Sequence, residues 1–84
     1  MKDLKEFYKL FVKASRDWLA ELDIKNPPTE REIFLRDIRD SMARDYYLLT
    51  GIQISLSLDY EEYEYVVREG DNAQNSRVVY RESV

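Results

Sequence analysis

Residues 59–71 read DYEEYEYVVREGD, six carboxylates and three tyrosines in thirteen positions with one arginine among them. Carboxylates at this density suit three kinds of chemistry. They can hold a hard cation, act as an acid–base pair, or present a negative surface to a cationic partner. The first is poorly matched. Asp59, Glu61, Glu62 and Glu64 are oxygen donors, but the run lacks the D-x-[DN]-x-[DN]-G order that wraps calcium. GDNAQN at 70–75 shares only the composition of such a loop, and its residues are turn formers. No metal and no other cofactor is expected.

Catalysis is poorly supplied as well. The chain has no histidine and no cysteine. The commonest general base near neutral pH, the thiolate nucleophile and the commonest metal ligands are therefore absent from it. Ser55 and Ser57 have no candidate base near them. An 84-residue chain also has little room for a deep substrate pocket. The expectation is a protein that is not an enzyme.

The negative surface remains. Asp59, Tyr60, Glu61, Glu62, Glu64, Glu69 and Asp71 are the candidate partner-binding residues, with Tyr60 as an aromatic anchor. The partner expected is a larger protein or protein–nucleic acid complex with a basic surface. Spaced carboxylates can stand in for phosphates, so a site that normally grips nucleic acid is one conceivable target. Charge complementarity would speed encounter and exclude wrong partners. The plainer alternative is a solvated strand face whose acids pair across strands with Arg68, Arg77 and Arg81. Charge on such a face also guards against aggregation.

An opposing signal lies at the other end of the chain. Lys2, Lys5, Lys9, Lys13 and Arg16 fall on one side of a helical wheel, opposite Phe7, Phe11 and Trp18. Cations in such a row can track phosphates. Helix neighbours offset them, however, in Lys2/Glu6, Glu6/Lys9 and Lys13/Asp17. The net charge is −4, against the basic balance of most nucleic-acid binders. Direct binding of nucleic acid through Lys5, Lys9, Lys13 and Arg16 is thus the second reading. A homodimer formed by pairing of the strand at Val78–Arg81 with its symmetry mate is the third.

The elements that must position these residues follow from periodicity. Leu4, Phe7, Phe11, Ala14, Trp18 and Leu22 recur at helical spacing, which predicts a helix over about 3–24. Asp3 is placed to cap it, with Glu6 three residues on. Asn26-Pro27-Pro28 ends it. TERE at 29–32 is a capping box opening a second helix over about 30–50. Phe34, Leu35, Ile38, Met42, Tyr46 and Leu49 are expected on its inner face, and Gly51 is a C-terminal stop. Asp45 falls within that stripe, where an arginine partner or the edge of the core would accommodate it.

From Ile52 the period becomes two. Ile52, Ile54, Leu56 and Leu58 alternate with polar residues, predicting a strand over about 52–58. Tyr63, Tyr65 and Val67 alternate in the opposite phase, so a turn or bulge is expected near 60–61 and a second strand over about 62–68. Glu62 and Glu64 would then face solvent. EGDNAQNS is a loop, and a third strand spans about 77–82.

The expected fold is α+β. A two-helix hairpin packs on one face of a three-stranded antiparallel meander (ααβββ) in two layers, and residues 1–84 form one small domain. Residues 1–51 hold ten basic and ten acidic residues, whereas 52–84 hold three arginines and seven acids. The whole charge excess therefore belongs to the sheet. No apolar run is long enough to span a membrane, and MKDLKEFYKLF lacks the apolar stretch of a signal peptide. A cytoplasmic location follows as the default.

Overall fold

The structure, a computed structural model, describes residues 4–23, 25–71 and 75–84. The expected cap at Asp3, Lys2 of the basic row and residues 72–74 of the loop lie outside the described residues. Helices α1 (Leu4–Glu21) and α2 (Glu30–Thr50) are followed by strands β1 (Ile54–Asp59), β2 (Glu64–Gly70) and β3 (Ser76–Ser83). The strands pair antiparallel in the order β1-β2-β3. This is the ααβββ arrangement that the change of period predicts.

The helix boundaries have local causes. α1 stops at Glu21 rather than near 24. Leu22 already donates to Leu19 O, three residues back. The Asp23 side chain then accepts from the Lys25 N–H and from Asn26 Nδ2, a local turn that competes with further helix. α2 opens on Thr29, whose hydroxyl accepts the Glu32 N–H at 3.1 Å. It closes on Gly51 at φ 73°, whose N–H bonds to Tyr47 O at 2.7 Å. That left-handed position suits glycine.

Tyr8, Phe11 and Val12 of α1 meet Tyr46 of α2 and Ile54 and Val67 of the sheet in the core. The buried arc of α1 is therefore rotated from the expected stripe, toward Tyr8, Val12 and Ser15. α1 lies between two neighbours. Phe7 stacks on Tyr46 with ring centres 5.4 Å apart, and Trp18 donates to Glu32, so these two residues serve the helix–helix seam. The expected inner face of α2 needs correction. Leu35 and Tyr46 are buried, but Phe34 and Leu49 are 62% and 86% exposed. α2 packs mainly against α1 and β1, with Tyr46 reaching across to β2, and this covers a narrower arc than the sequence stripe. Asp45 is exposed, on the solvent side of that arc.

In β2 the residues alternate. Tyr65, Val67 and Glu69 face the helices, while Glu64, Val66 and Arg68 face away. Val66 is buried as well, between Ser57 and Arg81 in register. Across β2 and β3 the register shifts: Val67 pairs with Tyr80 but Arg68 with Val78, so Val79 is the extra residue of a bulge.

Candidate functional site

The β1–β2 connection is where the expected change of phase occurs. Asp59 Oδ1 accepts the backbone N–H of Glu61 at 3.0 Å and of Glu62 at 3.2 Å. This fastens residues 60–63 into a turn. The Glu62 N–H chiefly, with that of Glu61 and the Arg81 guanidinium, holds the Asp59 carboxyl below its usual range. The Val84 N–H bonds to Tyr63 O at 3.0 Å, tying the chain's last residue to the turn.

Tyr63 does not point toward the helices, as the alternation suggests. It lies in the turn at φ 52° and is 68% exposed. Glu62 likewise belongs to the turn and not to the strand. Tyr60 is 77% exposed, and Glu61 and Glu62 are exposed between the two rings.

The rest of the acidic run is dispersed. Glu64 and Asp59 share Arg81, whose Nη1 lies 3.4 Å from Glu64 Oε1 and 3.5 Å from Asp59 Oδ2. These are cross-strand pairs on the face away from the helices. Glu69 sits on the helix side and is only 7% exposed. It accepts from Tyr46 Oη at 3.0 Å and from Arg77 Nε. Glu69 is therefore buried under the helices and not exposed with the rest of the acidic run. Asp71 is exposed but follows the far end of β2, a strand of seven residues and about 20 Å long at about 3.3 Å per residue. Of the seven candidates, the structure brings Tyr60, Glu61 and Glu62 together at one tip, on the turn that Asp59 fastens, and adds Tyr63.

Sequence reasoning missed the polar chain behind Glu69. The Tyr46 hydroxyl donates to Glu69, so its oxygen is left to accept from the Tyr8 hydroxyl, 3.0 Å away. Burial, then the bonds to Tyr8 and Glu69, push the Tyr46 hydroxyl far above the ordinary tyrosine range. A signal existed: Glu69 continues the inward phase of Tyr65 and Val67.

The basic row is only partly available. Lys5, Lys9, Lys13 and Arg16 are exposed. Lys13 pairs with Asp17 at 3.0 Å. Arg16 leans onto the sheet, 3.7 Å from Glu82 and with its guanidinium 5.6 Å from the Tyr65 ring centre. At the β3 edge a bulge interrupts Val78–Tyr80 and the charged Arg77, Arg81 and Glu82 flank it, features that discourage strand addition.

Among the described residues no group of three or more acidic, His or Cys side chains is arranged to hold a metal, and no helix is long and apolar enough to cross a membrane. Two helices over a three-stranded antiparallel meander place the chain in the class of small two-layer α+β domains. Comparison with protein-family models, curated proteins and solved structures finds no match to it.

Proposed function

We propose that this is a non-enzymatic, cytoplasmic protein-binding module. It docks on a basic surface of a larger protein or protein–nucleic acid complex through the β1–β2 turn. The observation that carries this reading is Tyr63. A non-glycine residue at φ 52° sits in a conformation that costs about 1–2 kcal/mol for most L-residues. Its side chain stays mostly exposed, so little burial offsets that cost. Such strain, held at an exposed position, is a mark of a site shaped for something other than stability.

The chemistry of the tip fits the role. Two solvent-facing phenol rings flank two exposed carboxylates. The rings offer broad contact area with a polar end, and the carboxylates accept from lysine or arginine. Asp59 holds the turn before binding, which lowers the ordering cost. The excess of four negative charges in residues 52–84 steers the sheet end toward a cationic surface.

The test is capture of binding proteins from a cell lysate with three proteins shown to be folded by circular dichroism. These are the wild type, Glu61→Lys/Glu62→Lys, and Lys5→Ala/Lys9→Ala/Lys13→Ala. A partner lost with the first variant and kept by the second supports the reading. A partner kept by the first and lost by the second moves the site to the basic row. Tyr63→Gly separates strain from function: it is expected to raise stability by about 0.5–1 kcal/mol while weakening capture.

A further inference from the structure

One side of the helix pair carries an apolar stripe that the fold leaves uncovered. Arg31, Phe34, Ile38, Met42, Asp45 and Leu49 recur on α2 at spacings of three and four, which sets them along one line of the helix. The neighbouring arc, with Leu35 and Tyr46, is the buried one. Phe34, Ile38 and Leu49 are exposed, and so is Leu10 on the side of α1 opposite Tyr8 and Val12. A cavity of about 320 Å³ opens between the helices there. Leu10, Ala14, Leu35, Ile38 and Met42 form its apolar wall. Lys13 and Asp17, its charged neighbours, are paired with each other. A single exposed apolar residue is ordinary, but a row of them beside an apolar cavity marks a contact surface.

The stripe is complementary to itself. Ile38 is its midpoint. Phe34 stands about 6 Å to one side of it and Met42 about 6 Å to the other, at about 1.5 Å per residue. Arg31 and Asp45 stand about 10 Å away in opposite directions. A second copy turned by half a revolution about Ile38 lays α2 antiparallel on α2. The protruding Phe34 then comes over the partner's Met42 and its cavity, and Arg31 comes opposite the partner's Asp45. Each contact is made twice, as a two-fold interface requires. A parallel arrangement would set Arg31 against Arg31 and Asp45 against Asp45. Both charges are suited to the exchange. Asp45 is exposed and enters no ion pair of the described residues. Arg31 meets Glu21 through Nε with its side chain 68% exposed, and a guanidinium has further donors to offer.

We infer that the chain forms a two-fold homodimer through α2, with Ile38 on the axis, Phe34 seated at the partner's Met42 and Arg31 paired with the partner's Asp45. The occupant of the stripe is thus a second copy of this chain. The surface is separate from the β1–β2 turn, and it stands or falls without the docking role given to that turn.

Sedimentation equilibrium of the full chain over a dilution series reads the mass directly. The expected result is a 10.1 kDa monomer that gives way to a species of twice that mass as concentration rises, and to nothing larger. Ile38→Asp places two carboxylates on the axis and is expected to abolish the dimer. Asp45→Arg sets like charges together twice and is expected to raise the dimer dissociation constant by about tenfold or more. Arg31→Asp/Asp45→Arg exchanges the two signs and is expected to return it to near the wild-type value. Circular dichroism checks that each variant is folded. A monomer at every concentration, growth beyond the dimer, a dimer indifferent to Ile38→Asp or Asp45→Arg, or no recovery in the exchanged double variant overturns the proposal. The charge exchange, made at two exposed positions, decides the matter even if Ile38→Asp does not fold.

Discussion

Tyr46 joins three elements through one oxygen. It donates to Glu69 of β2, faces the Tyr8 hydroxyl of α1, and stacks on Phe7. Tyr46→Phe keeps the ring but leaves two buried polar groups short of a partner. The expected loss is about 1–3 kcal/mol, read as a lower urea midpoint with an unchanged slope. The pH dependence has a defined sign. The folded Tyr46 value is raised above the ordinary tyrosine value of 10.0, so its stabilising contribution is complete below about pH 10 and is lost as pH rises through the folded value. Tyr46→Phe is expected to flatten the alkaline limb. Asp59 behaves in the opposite sense. Its folded value lies below 3.8, so its contribution is present above the unfolded value and lost as pH falls through the folded one. The stability gap between wild type and Asp59→Asn should close between about pH 5 and pH 2.

At the scale of elements, Gly70 is the most constrained position of the sheet. It ends β2 at φ 140°, and a Cβ there would overlap the backbone of Asn75 and Ser76. Gly70→Ala must move backbone or break the β2–β3 pairing, with an expected loss of about 2 kcal/mol or more in urea unfolding. The elements themselves were legible because each has one dominant period: 3.6 in the helices, two in the strands, with Thr29 and Gly51 as punctuation. What was not legible depended on neighbours. Whether Tyr8 or Leu4 is buried on α1 depends on where the sheet and α2 sit, and one sequence stripe cannot encode two partners. Phe34 and Leu49 look like core because spacing records periodicity and not the width of the covering surface. The alternation of Tyr63, Tyr65 and Val67 starts the second strand at about 62 and not at Glu64, because the longer Asp59 turn, which uses two backbone N–H groups, leaves no hydrophobic trace. The acidic run is conspicuous as composition, yet strand geometry sends Glu64 and Glu69 to opposite faces and Asp71 to the other end.

For the whole molecule, the placement of charge matters more than its total. α1 and α2 together carry eight basic and eight acidic residues, while residues 52–84 carry three and seven. Association with a basic partner should therefore slow as salt is raised from about 0.05 to 0.5 M, with a much smaller change in the dissociation rate. Stopped-flow mixing separates the two; equal salt effects on both rates would speak against steering. The same division has a physical outcome that requires no partner. A body measuring 36 × 32 × 24 Å, with its surplus charge on one layer and a balanced second layer, carries a permanent electric moment directed from sheet to helices. On any positively charged solid support it will settle sheet-down, leaving the helices turned to the liquid. Immobilisation on an anion exchanger thus orients the molecules alike without a tag.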